Sequence, residues 1–372
     1  MNQIRNRRKE MINQIVKQDN EFITSLTELK KAGNPLVLWG AGILAGRVYD
    51  YLIKNDIQIS AFVVDEVYYK EGLTVCNQVV WNAESYFEQM EEKCNLIIAF
   101  VGYQESIVEK YKEKISKIYA YDFCGMFTMG PLNVMTQRFI EENKDNIKWL
   151  EQNLEDQASK TEIIKYINQK ITGEYRTEYY ENQYFSSDII RLNQNEIFVD
   201  CGAYTGDSIE SFLENLKESH IDDYGSIYAF EPDETNRKIL QNNLNSLHNL
   251  HVIAGGAWDK NGTLTFDTEA NTGSKISEEG KTAISVYAID DVLDGEKATF
   301  IKMDIEGAEL RALHGARKTI LQYKPKLAIC VYHNNEDIFE IPKYIKSLVP
   351  EYKLYYRKHA ETATEMVLYA VI

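Results

Sequence analysis

The stretch Phe-Val-Asp-Cys-Gly-Ala-Tyr-Thr-Gly-Asp at residues 198–207 decides the fold class that we predict for this 372-residue chain. A short apolar run ends at Asp200, and Gly202 and Gly206 follow in a DxGxxxG arrangement. Glycines at a strand-to-helix turn let a ligand approach the backbone, because they carry no side chain. The stretch therefore predicts a Rossmann-like α/β domain with a ligand above this turn.

The charge of Asp200 distinguishes between two kinds of ligand. A carboxylate at this turn would repel the pyrophosphate of a dinucleotide such as NAD. It would instead attract the ammonium and sulfonium charges of S-adenosylmethionine. The turn therefore favours the sulfonium compound.

Two later segments extend the predicted ligand site. Glu231 ends the strand in Ala-Phe-Glu-Pro-Asp, where an acid can accept hydrogen bonds from both hydroxyls of a ribose. A solvated acid at a strand end is the alternative. In Ala-Gly-Gly-Ala-Trp, the small residues Gly256 and Ala257 leave room for a flat adenine. We predict that these three residues bind the cofactor together with the glycine turn.

Charged residues cluster directly after the strand in Thr-Phe-Ile-Lys-Met-Asp-Ile-Glu-Gly-Ala-Glu. Asp304 and Glu306 are expected to project into the cleft above the strands, and His333 ends the next strand at the same edge. A near-neutral imidazole there could remove a proton from a hydroxyl, although a hydrogen-bonded core histidine fits the pattern as well. Asp304, Glu306 and His333 are our candidate catalytic residues, and their spacing does not require a metal.

The whole chain alternates strands and helices in two regions. Residues 183–372 contain the segments above and end in two strands that we expect to be antiparallel. Residues 34–130 contain a second glycine turn, with Gly40, Gly42 and Gly46 after one strand and Asp65 at the end of the next. This smaller Rossmann-like domain has three open interpretations: a structural role, recognition of a nucleotide sugar, or binding of NAD.

Two helical segments complete the predicted organisation. Ile15, Phe22 and Leu29 recur at heptad spacing, so we predict an N-terminal helix over residues 1–33 that packs on the body or on another subunit. An anchor on a membrane surface is the alternative interpretation. Residues 131–182 are mostly polar and helical and are predicted to bridge the two α/β domains. Self-association is left open.

Composition narrows the class of protein and of partner. The 57 acidic and 41 basic residues give a net charge of −16, so nucleic acid is a poor partner. The five cysteines lie far apart, which disfavours a zinc site or a disulfide framework and favours a reducing cytoplasm. We expect neither a secretion signal nor a membrane span, since no apolar run is long enough.

The motifs of the second half, taken in order, resemble the FkbM-type methyltransferase family. The resemblance covers residues 183–372, and its most distinctive part is Ile-Lys-Met-Asp-Ile-Glu-Gly-Ala-Glu at 301–309. It implies a class I methyltransferase fold and S-adenosylmethionine as cofactor. The family's cofactor positions correspond here to Asp200, Gly202, Gly206 and Glu231. It also implies methylation of an oxygen on a sugar, glycan or small metabolite, although acceptor identity does not transfer.

Two hypotheses of function follow from the sequence. The first is an S-adenosylmethionine-dependent O-methyltransferase whose catalysis comes mostly from positioning. The second is a nucleotide-sugar-binding or NAD-dependent protein that acts through the glycine turn at residues 40–46.

Overall fold

The computed structural model describes residues 10–101, 109–266 and 282–372, which form a mixed α/β protein with two large, mainly parallel sheets. The first sheet has the strand order β3-β4-β2-β1-β5-β6, and all its pairs are parallel except β3 with β4. Its strands are β1 (Leu36–Trp39), β2 (Ala61–Val64), β3 (Thr74–Val75), β4 (Gln78–Asn82), β5 (Cys94–Ile98) and β6 (Ile115–Tyr119).

The central strands of this sheet are short and apolar because both of their faces are covered. Every residue of β1, β2 and β5 is buried, which is the pattern expected for parallel strands between two layers of helices. The described helices of this region are Glu21–Lys31, Ile43–Lys54, Ala83–Gln89 and Phe123–Met126.

The second large sheet has seven strands in the order β15-β16-β14-β13-β7-β8-β9. The strands from β14 to β9 run parallel, while β16 is antiparallel to both of its neighbours, so the antiparallel ending predicted from the sequence is confirmed. The strands are β7 (Ile197–Cys201), β8 (Ser226–Phe230), β9 (Leu250–Ile253), β13 (Phe300–Met303), β14 (Lys326–Cys330), β15 (Lys353–Lys358) and β16 (Met366–Val371).

A small third sheet lies beside the seven-stranded one and has the order β10-β12-β11. Strand β12 is parallel to β10 and antiparallel to β11. The strands are β10 (Gly256–Trp258), β11 (Gly262–Phe266) and β12 (Thr282–Ala288). The helices of this half are Asp207–Glu218, Glu234–Asn243, Ile289–Leu293, Glu309–Gly315, Arg317–Tyr323 and Asp337–Leu348.

The order of the seven strands locates a crevice. From β7 the chain moves outward to β8 and β9, and then returns to the other side of β7 to form β13 and β14. The connections after β7 and after β13 therefore leave the sheet in opposite directions at its carboxyl edge. Ligands of open α/β sheets bind at such a switch point.

The bridge and the N-terminal segment differ in how well they follow the sequence pattern. Residues 131–182 contain the helices Gln137–Glu142, Lys144–Asn153 and Gln157–Thr172. The prediction of a single N-terminal helix is wrong within the described residues, because a 3-10 turn at Met11–Gln14 is separate from the helix Glu21–Lys31. The Asn20 side chain accepts a hydrogen bond from the Ile23 amide and starts the helix there.

Across the described ranges, no helix is long and apolar enough to cross a membrane.

Candidate active site

A cavity of about 1220 Å³ opens at the carboxyl ends of β7, β8 and β13. Six of the nine residues that the sequence singled out line it together: Gly202, Glu231, Gly256, Ala257, Asp304 and Glu306. The other three, Asp200, Gly206 and His333, lie behind its wall. The switch point of the sheet is thus also where the predicted residues converge.

Asp200 does not face the cavity, because its charge is already satisfied inside the protein. Its Oδ1 lies 2.9 Å from Nζ of Lys302 on the neighbouring strand, and Ser208 donates a hydrogen bond to its Oδ2. Burial raises the pKa of Asp200 above its ordinary value, and Lys302 and Ser208 offset part of that shift. The expected direct attraction between Asp200 and a cationic ligand is therefore replaced by a buried ion pair beneath the site.

Lys302 connects this ion pair to the cavity. Its Nζ also donates a 2.8 Å hydrogen bond to the Gly202 carbonyl and lies 5.0 Å from the centre of the Tyr184 ring. Burial lowers the pKa of Lys302, but Asp200 and Asp304 outweigh it, so the pKa is higher than in water. The ammonium group therefore holds the glycine turn against the two strands that carry the acids.

The two glycines of the turn serve close packing. A Cβ on Gly202 would lie 2.0 Å from the Asp304 carbonyl oxygen, and the residue has a φ of +81°. A Cβ on Gly206 would lie 2.8 Å from Leu244, with a φ of +99°. Gly202 still lines the cavity, but Gly206 does not, and its small size instead allows the helix Asp207–Glu218 to begin beside Leu244.

Glu231 lies at the end of β8, where its carboxylate is fixed by the backbone. Its Oε2 accepts a 2.9 Å hydrogen bond from the Tyr204 amide, and its Oε1 accepts a 2.8 Å bond from the Asp233 amide. Burial raises the pKa of Glu231, although these amides counteract the shift. Each oxygen has a second lone pair, so the carboxylate can accept further hydrogen bonds from a ligand in the cavity.

The small residues form a different wall. Gly256 and Ala257 belong to β10 and pair with Val286 and Tyr287 of β12. This wall is held from behind at Gly315, where an added Cβ would lie 1.9 Å from the Trp258 carbonyl oxygen. The helix Glu309–Gly315 thus packs directly against the backbone of β10.

Asp304 is held in place at the site by two tyrosine hydroxyls. The Tyr184 hydroxyl donates to its Oδ2 at 2.8 Å, and the Tyr332 hydroxyl donates to its Oδ1 at 3.1 Å. Burial opposes ionisation, but the positive charges of His333 and Lys302 outweigh it and lower the pKa of Asp304. This carboxylate is therefore a fixed anion that orients two tyrosines.

His333 lies among three carboxylates. Its Nδ1 is 3.0 Å from Glu309, and its Nε2 is 3.5 Å from Asp304 and 3.6 Å from Glu306. Burial disfavours the imidazolium, but Glu309 and the other acids raise the pKa of His333 to about 10. The near-neutral imidazole expected from the sequence is thus replaced by a cation at neutral pH. That charge offsets part of the negative charge of the three acids.

Glu309 and Glu306 have different roles around this imidazolium. Glu309 is fully buried, and its Oε1 accepts a 2.9 Å hydrogen bond from the Ile305 amide, which holds the turn after β13. Glu306 lines the cavity, and its side chain is 61% exposed. Desolvation and the neighbouring carboxylates raise the pKa of Glu306, against the opposing effect of His333. Of these two acids, Glu306 is the one that a ligand can reach.

Backbone strain concentrates around the cavity. Tyr184, Tyr204, Glu306 and Glu365 all line it, and all have left-handed φ angles, of 69°, 47°, 56° and 54°. Residues other than glycine, Asn or Asp rarely adopt this conformation, and such strain clusters at functional sites. The geometry thus marks this cavity independently of the sequence motifs.

Four residues of the site were not predicted from the sequence: Tyr184, Lys302 as a structural partner, Tyr332 and Glu365. Tyr332 and Lys302 stand next to predicted residues, so their position on the strands could have revealed them. Tyr184 lies in a loop, and Glu365 precedes β16, where no strand-end motif points to them.

The first half of the chain contributes to the same edge. Met129 lines the cavity, and the Asn133 side chain donates a 2.9 Å hydrogen bond to the His333 carbonyl. Arg47, on the helix Ile43–Lys54, donates a 2.7 Å bond to the Phe127 carbonyl, so the second glycine turn packs close to this segment. The first sheet and the connection after it therefore help to build the site.

In the second glycine turn, at residues 40–46, Gly40 allows close packing of the backbone. A Cβ on Gly40 would lie 2.8 Å from the Ala99 carbonyl oxygen, and its φ is +134°. A Cβ on Gly42 would meet nothing within 4 Å. Asp65, the acid at the end of the next strand, accepts a 3.3 Å hydrogen bond from the Trp39 indole.

Three solved structures are similar to this chain. A methyltransferase FkbM from Methylobacillus flagellatus KT is 23% identical, with 97% of this chain and 95% of that chain covered and a TM-score of 0.70. An rRNA methylase from Streptococcus thermophilus is 14% identical over 48% of this chain and 87% of that chain, with a TM-score of 0.32. Fibrillarin from Aeropyrum pernix, with bound S-adenosyl-L-methionine, is 11% identical over 49% and 70%, with a TM-score of 0.31.

No curated protein sequence matches the chain. The similarity to the Methylobacillus protein over nearly the full length of both chains shows a common fold. Residues 200–354 match the model of the methyltransferase FkbM domain, which spans the glycine turn, Glu231, Asp304, Glu306 and His333. The part of the chain that matches the methyltransferase FkbM domain is therefore the part that supplies most of the residues lining the cavity.

Proposed function

We propose that the protein transfers a methyl group from S-adenosylmethionine to a hydroxyl oxygen of a sugar, glycan or small metabolite. The observation that carries this proposal is the convergence of Glu231, Gly256, Ala257, Asp304 and Glu306 on one strained cavity within the FkbM domain.

The residues present fit the cofactor. Glu231 can accept hydrogen bonds from ribose hydroxyls, and the side-chain-poor wall at Gly256 and Ala257 leaves space for a flat base. Among the described residues that line the cavity, seven are acidic and two are basic. This balance favours a cationic ligand over a pyrophosphate. When bound, S-adenosylmethionine supplies an activated methyl group on its sulfonium.

The remaining chemistry is positioning and proton removal, because the methyl group is already activated. Asp304 holds the hydroxyls of Tyr184 and Tyr332 in fixed orientations beside the cavity. Together with Glu306, these groups can hydrogen-bond a polar acceptor and align one of its oxygens. The acid-rich wall favours an acceptor without phosphate or carboxylate near the methylated atom.

The first half of the chain is proposed to serve the scaffold or the acceptor. Gly40 is needed for close backbone packing, and Asp65 is hydrogen-bonded to Trp39. Met129 and Asn133 bring the end of this half to the methyltransferase cavity. An acceptor that extends out of the cavity would contact this surface.

Two measurements on the purified full chain test the proposal. Calorimetry with S-adenosylmethionine, NAD and a UDP-sugar should show binding of S-adenosylmethionine, and a Glu231→Gln variant should weaken it. Labelled methyl transfer to a panel of neutral methyl glycosides, glycans and sugar nucleotides should then identify the acceptor class. Binding of NAD with reduction activity, and no binding of S-adenosylmethionine, would favour the alternative function through the turn at Gly40.

A further inference from the structure

Glu365 reaches the cavity because of the antiparallel strand at the end of the chain. Strand β16 runs opposite to β14, with Cys330 paired to Val367 and the Val331 amide donating to the Met366 carbonyl. The residue before an antiparallel strand therefore lies at the edge where the parallel strands end. Glu365 occupies that place and lines the cavity with Asp304 and Glu306.

Its side chain and backbone are both held in position. The Gln183 amide donates a short hydrogen bond to Oε2 of Glu365. The backbone carbonyl of Glu365 accepts a 2.9 Å bond from the His359 amide, and the left-handed φ of 54° turns the chain toward the site. Polar atoms of Asp304, Cys330 and Glu365 lie within 4.8 Å of one another. The carboxylate is thus fixed beside the acid that orients the two tyrosines.

The neighbouring candidates are less suited to accept a proton. Both oxygens of Asp304 already accept tyrosine hydroxyls, and its negative charge is stabilised by two cations. His333 is 1% exposed, lies behind the wall and is held as a cation by the acids around it. Glu306 is accessible, but its side chain is largely open to solvent.

We propose that Glu365 is the general base that takes the proton of the acceptor hydroxyl. This inference rests on the proposed function. As the acceptor oxygen forms a bond to the methyl carbon, the carbon–sulfur bond breaks and its electron pair stays on sulfur. The hydroxyl proton passes to a carboxylate oxygen of Glu365. The products are the methyl ether, neutral S-adenosylhomocysteine and a protonated Glu365.

The electrostatic surroundings of Glu365 agree with this role. Burial and the negative charge of Asp304 raise the pKa of the Glu365 carboxyl to about 7, while Gln183 and His333 oppose the shift. A base with a pKa near neutrality is efficient in proton transfer at neutral pH. Seven other titratable groups interact electrostatically with Glu365. Four of them lie on β14 or directly after β13 and β14: Asp304, Cys330, Tyr332 and His333. The other three are Tyr184 in the loop before β7, Lys358 on β15 and Cys124 on the helix Phe123–Met126.

The first test measures the titration of Glu365 in the full chain, with S-adenosylhomocysteine as the added ligand. Carboxyl ¹³C resonances are followed against pH, and the Glu365 signal is identified as the one missing in Glu365→Gln. We expect a midpoint raised well above that of an ordinary glutamate. A midpoint in the ordinary glutamate range would overturn the proposal, whether or not an acceptor is known.

The second test measures transfer of labelled methyl to the methyl glycoside panel. Glu365→Gln should bind S-adenosylmethionine and melt as the parent does, yet transfer about a hundredfold more slowly. The parent rate should fall as pH drops through the Glu365 pKa, and the variant should lose this dependence. The matched control is Glu361→Gln, an exposed acid of the same turn, which should behave like the parent.

The outcomes separate the two proposals. A parent that neither binds S-adenosylmethionine nor methylates any acceptor contradicts the proposed function itself. A parent that methylates while Glu365→Gln keeps the same rate and pH profile contradicts only the role of Glu365. Should the panel contain no acceptor, the carboxyl titration alone decides for or against Glu365.

Discussion

The ammonium nitrogen of Lys302 lies 2.9 Å from a carboxylate oxygen of Asp200, in the middle of the seven-stranded sheet. The Lys302 side chain is only 3% exposed, and the Asp200 side chain is fully buried. Each charge therefore depends on the other, because water cannot replace a lost partner. Removing one partner of a buried pair costs far more than exchanging both for neutral groups.

We expect Asp200→Asn to lower the free energy of unfolding by about 3–5 kcal/mol, because it leaves the Lys302 charge buried without its partner. The double variant Asp200→Asn with Lys302→Met should lose less than that. Urea denaturation of the three proteins measures the difference. If the single variant is as stable as the parent but binds S-adenosylmethionine poorly, Asp200 acts on the ligand and our structural interpretation is wrong.

Glu231→Gln should weaken S-adenosylmethionine binding by about tenfold or more, since hydrogen bonds to a charged group contribute about 1.5–3 kcal/mol. In the parent, the backbone amides of Tyr204 and Asp233 each donate to one oxygen of Glu231. The glutamine replaces one of these oxygens by an amide donor, so one of the two hydrogen bonds is lost. Calorimetry measures the affinity. Glu218→Gln, an exposed acid at the end of the helix Asp207–Glu218 and away from the cavity lining, is the control and should bind like the parent.

Asp304→Asn and Glu306→Gln should slow methyl transfer more than they weaken donor binding, because both acids lie on the acceptor side of our proposed arrangement. Asparagine keeps one carbonyl oxygen for the tyrosines but removes the negative charge. Single-turnover rates and calorimetry on the same samples compare the two effects. Parental rates in both variants would show that these acids only support the fold.

The fold was predictable from the sequence because its strands carry their own signals. Buried apolar runs such as those ending at Asp200 and Asp304 are unambiguous, and their acids and glycines mark the carboxyl edge. The structure of the N-terminal segment was not predictable in this way, since a heptad pattern carries no information about the cap at Asn20, where a new helix starts. Spacing alone describes a face of a helix and does not show that the helix is continuous.

The site was predictable only where its residues follow parallel strands. Asp304 and Glu306 are examples, because the end of β13 fixes their place. Tyr184 lies in a loop and Glu365 lies just before an antiparallel strand, so their proximity to Asp304 depends on tertiary packing. The ion pairs of the site were not predictable either. The sequence could not show that Asp200 would pair with Lys302, or that Glu309 would hold His333 as a cation.

The two glycines of the first turn should respond differently to the same change. Gly40→Ala should destabilise the protein by about 1–3 kcal/mol, because the added methyl meets the Ala99 carbonyl at 2.8 Å and the φ is left-handed. Gly42→Ala has open space and should be close to neutral. Thermal melting compares them. A loss of acceptor methylation in Gly42→Ala, with donor binding intact, would assign this turn to the acceptor.

The cation at His333 makes a prediction about stability at alkaline pH. Its pKa is raised from 6.5 to about 10 in the folded protein, so between these values the folded state binds more protons than the unfolded state. The stabilisation from this group is therefore complete below about pH 6.5 and is lost as pH rises through about 10. In that window it changes the free energy of unfolding by up to about 1.4 kcal/mol per pH unit.

His333→Gln should remove this component, so the stability gap between parent and variant should narrow steadily from pH 7 to pH 10. Urea denaturation at each pH measures the gap, and taking the difference cancels the groups that titrate in both proteins. His251→Gln, which changes an exposed histidine on β9, should show a constant gap. A His333→Gln gap that stays constant over the window would mean that the imidazole is neutral when folded. It would then again be a candidate for the base at this edge.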